Sequence, residues 1–394
     1  MNNKFDQNKT LTLYCKRCLY PNTKPDLWFK DGICGACHSY EKRSSYDWTT
    51  GPTVFSDIIR SNKKNESYDC IVPVSGGKDS TYQVWRVLKE GFKPLCVTAP
   101  TDQLTPLGRR NIDNLKKLGC DYVEFSVNPE VRKKINRFAF FNVGDIQWPE
   151  HLLINTIPIR AAVLFNIPVI VRGECPQREY GAGRPEDATL KYFTREVLEQ
   201  YGLLNGLRVS DLTTIEGVSS EDLYLYTFPE AELIEKLNLK AIYLDNYFEW
   251  NGISNFVIAQ SLGFETYHKN ILGTIANYEN LDNYVHGIHD YFKYLKFGFS
   301  RATDVACNLI RRNLISRKDA AEITSLHDGA YPVKYMEKSL EEILNEYEIS
   351  QKEFTQTCDD FSNYDLFKIR ADGTLDRKKD GSPKLKNGYN NIHS

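Results

Sequence analysis

The 394-residue sequence has no long hydrophobic run, no excess of charge of one sign, and only seven histidines. Its longest apolar-rich stretch, residues 156–171, is broken by Pro158, Arg160, Asn166 and Pro168. It therefore lacks the roughly 20 consecutive apolar residues a bilayer-spanning helix needs. Fifty Lys plus Arg stand against 52 Asp plus Glu, a formal net charge of −2. That balance gives no support to non-specific attachment to nucleic acid or to an anionic membrane. Met1 to Thr10 are mostly polar and carry no secretory-signal pattern. With 41% hydrophobic and 26% charged residues, the composition is that of a globular chain, neither disordered nor fibrous. At roughly 150 residues per domain, the expectation is a soluble, cytoplasmic protein of two or three domains with neither nucleic acid nor membrane as partner.

The chain changes texture along its length. Residues 11–50 are rich in Cys, Pro, Gly and Lys, with little apolar periodicity, and residues 1–50 read as a small zinc-ribbon module. From 51 to about 275, short apolar runs alternate with helix-like segments. Strands are expected at 69–74, 94–99, 122–127, 168–171 and 239–244, with helices at 80–89, 107–118 and 253–262. This alternation predicts an α/β domain with a parallel sheet covered on both faces. Pro73 inside the first strand requires a strand end or a bulge there. Residues 184–237 turn charged and helix-like and read as an insertion. Over 276–371 no strand is expected, and Ser316 with Asp319, Ser339 with Glu342, and Ser350 with Glu353 are spaced as capping boxes. Residues 372–394 read as a polar tail, extended or mobile.

Cys15-Lys-Arg-Cys18 and Cys34-Gly-Ala-Cys37 are two C-x-x-C knuckles separated by fifteen residues. This spacing predicts a closed, tetrahedral, structural zinc site. Cys34 to His38 also spells the c-type haem attachment motif, which requires an exported chain. Disulfide pairing meets the same objection of compartment.

Ser75-Gly-Gly-Lys-Asp-Ser80 follows a strand and opens a helix. Glycines let the backbone turn its N–H groups toward an anion, and the helix N-terminus adds partial positive charge. Lys78 can reach a phosphate oxygen and Asp79 can hold Mg2+. The loop is not a Walker A motif, because Val72 and Asp79 stand where that pattern needs Gly and Ser or Thr.

The loop resembles the S-G-G-x-D-S signature of the ATP pyrophosphatases, the PP-loop superfamily. Three further blocks are similar to the N-acetyl sugar amidotransferases of bacterial surface-polysaccharide and pseudaminic-acid-type pathways. They are the cysteine knuckles with Leu19-Tyr-Pro and Gly32-Ile, then Arg172-Gly-Glu-Cys-Pro to Gly181, then Tyr294 to Asp304. The resemblance covers residues 13 to 330 apart from the insertion. It implies a PP-loop fold in which Ser75, Gly76, Gly77, Lys78, Asp79, Ser80 and Gly173 bind ATP. It also implies conversion of a sugar acetamido group into an acetamidino group. ATP adenylates the amide oxygen, and ammonia displaces AMP. The substrate would be an N-acetylated sugar or sugar nucleotide, with ammonia supplied by a glutaminase with a cyclase-like channel partner.

The residues suit that chemistry on their own terms. An amide carbonyl is a poor electrophile until its oxygen becomes a leaving group, so two reactants must be positioned and phosphate charge absorbed. Lys78, Asp79, Glu174 and Glu179 are the catalytic candidates, the two glutamates lying at the carboxyl edge of the sheet. Asp145 in Val143-Gly-Asp-Ile is a further candidate; a solvated or capping carboxylate explains it as well. Asp245, Tyr247 and Trp250 follow the last strand and suit a sugar ring, or else anchor the core. Lys296 and Arg301 suit a diphosphate or a sugar carboxylate, or a solvated helix face. Cys175, a single thiol with no nearby His, reads as inert. The rival functions are a tRNA-thiolating or tRNA-amidating PP-loop enzyme, which needs a basic RNA surface, and a non-catalytic zinc-ribbon scaffold. The intact Lys78, Asp79 and Ser80 weigh against the scaffold.

Overall fold

The computed structural model describes residues 12–43, 45–201, 204 and 206–386. A short hairpin, β1 (Phe29–Lys30) and β2 (Ile33–Cys34), leads into α1 (Gly35–Arg43) and α2 (Gly51–Asn62). The α/β unit follows as β3 (Cys70–Pro73), α3 (Lys78–Lys89), β4 (Pro94–Thr98), α4 (Pro106–Lys116) and β5 (Asp121–Glu124). It continues through α5 (Pro129–Val143), α6 (Trp148–Phe165), β6 (Val169–Arg172) and α7 (Pro176–Glu179). Beyond α8 (Arg195–Tyr201) and α9 (Ala231–Leu237) come β7 (Lys240–Tyr243) and α10 (Gly252–Ser261).

Among the described residues, these strands form a five-stranded sheet in the order β5-β4-β3-β6-β7, every pair parallel. Both faces are covered, so the central strands are apolar without alternation. Ile71, Leu95, Val97 and Ile170 pack on the side of α6, while Cys70, Val72, Cys96 and Val171 pack on the side of Phe55 and Ile59 of α2. Pro73 is the last residue of β3, where its missing N–H breaks no ladder bond. No helix among the described residues is long and apolar enough to cross a membrane.

Helices α5 and α6 occupy a stretch for which the sequence pattern predicted none. Helix α6 is buried nearly all round, with Pro158 inside it. A helix packed on all sides shows no amphipathic stripe, and an internal proline argues locally against helix. One side of α6 meets the sheet and the other meets the insertion. Trp148 Nε1 donates to Leu204 O (2.9 Å), Thr156 Oγ1 to Leu225 O (2.8 Å) and Arg160 Nε to Thr227 O (2.7 Å). The insertion is thus more irregular than expected, mostly turns and short 3-10 segments. Its first part shields the β7 edge, Phe193 N donating to Ala241 O at 2.8 Å.

The C-terminal unit carries α11 (His286–Phe297), α12 (Arg301–Arg311) and α13 (Arg317–His327), a two-residue-strand hairpin β8 (Lys334–Tyr335) and β9 (Lys338–Ser339), then α14 (Leu340–Asn345) and α15 (Gln351–Asp360). Ser316, Ser339 and Ser350 each accept from the backbone N–H three residues on, as their spacing predicts. Each cap contributes about 1 kcal/mol. One continuous apolar cluster joins this unit to the α/β unit, running from Leu107, Phe140 and Ala259 to Phe292 and Phe354. The expected boundary near residue 276 is therefore not a gap in the packing. Nor is the tail free up to residue 386. Phe367 pairs with Leu385, Leu375 is buried in the same cluster, and Tyr294 Oη donates to Pro383 O at 3.1 Å. Residues 387–394 lie outside the described residues.

The four knuckle sulfurs converge. Cys15 and Cys37 Sγ are 3.9 Å apart, Cys18 and Cys34 Sγ 3.6 Å, and all four ligating atoms lie within 4.8 Å of one another. A tetrahedron with Zn–S bonds of about 2.3 Å has sulfur–sulfur edges of about 3.8 Å, so the quartet fits structural zinc. His38 turns elsewhere, stacking on Trp28 with ring centroids 5.2 Å apart. The cluster is no detached module: its cysteines are buried together with Phe299, Ala306, Cys307, Ala320 and Ala321 of the C-terminal unit. Arg317 locks the contact, donating from Nε to Cys18 O (3.0 Å) and from Nη2 to Cys15 O (3.0 Å). Replacing Cys34 and Cys37 together with Ser is expected to remove about one zinc per chain and to lower the midpoint of the main thermal transition. Elemental analysis and calorimetry check this, and unchanged zinc content would contradict the assignment.

Candidate functional site

In the strand order, β3 connects outward through β4 to β5, whereas β6 connects outward the other way to β7. The loops after the neighbouring strands β3 and β6 thus part in opposite directions. This is the switch point at which open α/β sheets leave a crevice. A cleft opens there.

The loop after β3 supplies the first wall. Gly76 has φ +83°, and a Cβ there would lie 2.8 Å from Ile112 N, so only glycine fits this approach to α4. Gly77 then caps α3 in extended conformation, and the Ser80 and Thr81 hydroxyls both donate to its carbonyl at 3.0 Å. Lys78 and Asp79 occupy the first turn. The Lys78 ammonium, 8% exposed, lies 2.5 Å from Asp79 Oδ2 and 3.0 Å from Glu279 Oε1. Burial pulls its pKa down, but Asp79 and Glu279 outweigh that and hold it well above the usual lysine value. Asp79 Oδ1 accepts from Asn255 Nδ2 at 2.9 Å, which ties the loop to α10.

The loop after β6 supplies the second wall. Glu174 is pushed up from 4.5 to about 8, first by burial and then by the nearby Asp79 charge. Glu179 also lines the cleft. Its Oε1 accepts from Arg312 Nη2 at 3.0 Å, and its Oε2 lies 3.6 Å from Arg43. Gly181 has φ +71°, and a Cβ there would lie 2.4 Å from Ala36 N. The zinc-knuckle helix therefore presses directly on the loop that carries Glu179. Trp250 and Gly252 follow β7, and Arg301, Asp304, Asn308 and Arg312 project from α12 and the turn after it to close the cleft.

Several expected residues stand apart from this cleft. Asp245 is fully buried in an ion pair with Arg178 (Nη2 to Oδ1, 2.5 Å) and accepts from Cys175 N at 3.2 Å. It braces the loop after β6 and does not line the cleft. Removing one partner of so buried a pair costs about 3–5 kcal/mol. Tyr247 packs on Phe55, ring centroids 5.7 Å apart. Lys296 donates to Val143 O at 2.6 Å and lies over the Phe361 ring. Asp145 faces His289 and His151 at 2.9 and 3.4 Å, away from the cleft-lining set. Gly173 lies beside Trp250, whose ring a Cβ would approach to 2.9 Å. Cys175 is buried, its thiol pushed up to about 11 mainly by burial, as its inert reading requires.

Sequence reasoning missed Glu279, Tyr180, Asn255, Asn308 and Arg312. Tyr180 adjoins Glu179 in the Gly-rich loop and could have been found there. Glu279 lies in an irregular stretch with no pattern to mark it, and Arg312 is a helix-end cation like many others.

Residues 272–378 match the family model described as "LPS biosynthesis protein WbpG-like, C-terminal domain". The match takes in the Tyr294 to Asp304 block and bears out the resemblance carried by that block. Among solved structures, the chain is similar to an NH3-dependent NAD synthetase from Campylobacter jejuni, at 13% identity over 57% of this chain and 100% of that one, TM-score 0.28. It is also similar to an NMN synthetase from Francisella tularensis, at 11% identity over 57% of this chain and 99% of that one, TM-score 0.26. No curated protein matches the chain.

The raised Glu174 has a signed consequence for stability. Between its ordinary pKa of 4.5 and its folded value of about 8, the folded chain holds a proton that the unfolded chain has released. Stability conferred by this residue therefore falls as pH rises through that window. Glu174→Gln removes the effect. The thermal midpoint of the variant, relative to the unsubstituted chain, should climb from about pH 5 to about pH 8. A difference independent of pH in thermal melts would refute the shift.

Proposed function

Taking residues 272–378 as a WbpG-like C-terminal domain, we propose that the chain is a cytoplasmic, ATP-dependent amidotransferase of surface-polysaccharide synthesis. It converts the acetamido group of a sugar or sugar nucleotide into an acetamidino group. The observation that carries this reading is one cleft lined by both the Ser75–Ser80 loop residues Lys78 and Asp79 and the α12 face of the matched domain.

In this reading the backbone N–H groups of Ser75 to Ser80 receive the ATP phosphates, and Lys78 exchanges Glu279 for a phosphate oxygen. Gly173, at the close approach between the β6 loop and Trp250, leaves the backbone open to the nucleotide. Asp79 would hold Mg2+, which would supply the offset of phosphate charge that makes pyrophosphate a better leaving group. The amide oxygen attacks the α-phosphorus, pyrophosphate leaves, and the adenylated amide carbon then accepts ammonia and releases AMP. Glu174, in its ionised form, takes the proton that ammonia sheds. Glu179 holds Arg312 at the cleft wall, where Arg312 and Arg301 suit the anionic part of a sugar nucleotide. Trp250 offers a ring face to the sugar.

Ammonia comes from outside the chain. The six cysteines beyond the quartet, Cys70, Cys96, Cys120, Cys175, Cys307 and Cys358, are all buried, so none presents an accessible glutaminase nucleophile. A glutaminase with a channel-forming partner would deliver ammonia unprotonated. The purified chain is expected to form amidine, AMP and pyrophosphate from ATP, an N-acetylated sugar nucleotide and ammonium at alkaline pH. Glutamine should replace ammonium only when such a partner is added. Lys78→Ala should lower turnover by about a hundredfold or more while keeping a native thermal transition. ADP and orthophosphate as primary products, or efficient use of glutamine by the chain alone, would contradict the proposal.

A further inference from the structure

Asp145, His151 and His289 come from three separate places and converge outside the cleft. Asp145 follows the left-handed C-cap Gly144 of α5, His151 lies on α6 and His289 on α11. One carboxylate and two imidazoles offer ligating atoms that all lie within 4.8 Å of one another. His289 Nδ1 is 2.9 Å from Asp145 Oδ1, and His151 Nδ1 is 3.4 Å from Oδ2. Ligand bonds of about 2.0–2.1 Å place neighbouring ligating atoms of a tetrahedral or octahedral ion roughly 2.8–3.4 Å apart, the range in which both of these distances fall. The two imidazole rings meet edge to face, centroids 5.1 Å apart.

Hydrogen bonding alone does not account for the group. Oδ1 of Asp145 accepts from His289 Nδ1 and from Gln147 N (3.0 Å). His151 Nδ1 is buried with no hydrogen-bond partner among the described residues. Lys296 does not fill the gap, since its ammonium donates to the Val143 carbonyl at 2.6 Å. A buried nitrogen lone pair or N–H left unpaired costs about 1–3 kcal/mol, and a metal ion is the partner that would satisfy both imidazoles and the second carboxylate oxygen together.

We propose that Asp145, His151 and His289 form a second metal site, for a divalent first-row ion of the kind bound by imidazole and carboxylate, zinc foremost. The ion would cross-link the α5–α6 corner of the α/β unit to α11, which leads directly into α12 and its cleft-lining residues. The inference does not depend on the substrate or the reaction.

The test uses the full chain, stripped with a chelator, reloaded by dialysis against a small excess of zinc, and analysed for zinc after gel filtration. The unsubstituted chain should hold about two zinc ions. His289→Asn, whose amide can still donate to Asp145, and the His151→Ala/His289→Ala double variant should each lose about half of that total. The Cys34→Ser/Cys37→Ser variant should retain the other half. Should a variant fail to fold, cobalt loading of the unsubstituted chain decides: a second equivalent with d–d bands but no thiolate charge transfer is expected. An unsubstituted chain that saturates at about one zinc or one cobalt, or a His289→Asn variant with undiminished zinc, would overturn the site.

Discussion

The arrangement of the cleft turns on one buried ammonium. Lys78 sits in the first turn of α3 with its charge enclosed by Asp79 on its own helix and Glu279 from the loop before α11. Desolvating a lysine costs several kcal/mol, and only close carboxylates return it. The pair of contacts therefore keeps this cation charged and ties the loop after β3 to the loop before α11 at the carboxyl edge of the sheet. It also sets a condition on any ligand. Asp79, Glu174, Glu179, Glu279 and Asp304 surround the same space as Lys78, Arg301 and Arg312, so polyphosphate enters favourably only with a cation that offsets the carboxylates.

The cysteine knuckles support the same site from behind. Helix α1 begins directly after Cys34 and ends at Arg43, whose guanidinium lies 3.6 Å from Glu179 and 3.9 Å from Asp245. Those two carboxylates brace the loop after β6, Asp245 through Arg178 and Glu179 through Arg312. On the opposite side, Tyr20 Oη donates to Asp304 Oδ1 at 3.1 Å, and Arg317 binds the knuckle carbonyls. A closed centre of four thiolates has no open position for chemistry. Its contribution is to fix α1 between the β6 loop and α12, so that residues nearly 300 positions apart in sequence share one wall.

What could be read from the sequence was what depends on local spacing. The two C-x-x-C knuckles, the strand–loop–helix around Ser75 to Ser80, the serine caps and the five sheet strands all announce themselves within a few residues. Glu174 and Trp250 could be placed at the cleft because strand ends fix them. Features set by tertiary contact were not legible. Helix α6 shows no stripe because it is covered on nearly all sides, and the 366–386 segment looks polar because only Leu366, Phe367, Leu375 and a few neighbours bury their side chains. Asp245 and Tyr247 were expected at a substrate because they follow β7, but the chain turns after Tyr243 and directs them into the core. Glu279, the partner that holds Lys78, has no local signature.

The central claim is that ATP activates an amide oxygen in the cleft between the phosphate loop and α12. The most direct measurement follows that oxygen. An N-acetylated sugar nucleotide labelled with oxygen-18 in the acetamido carbonyl, turned over with ATP and ammonium, should deliver its label into the phosphate of AMP. Label recovered in pyrophosphate, in orthophosphate or in water, with none in AMP, would contradict the account.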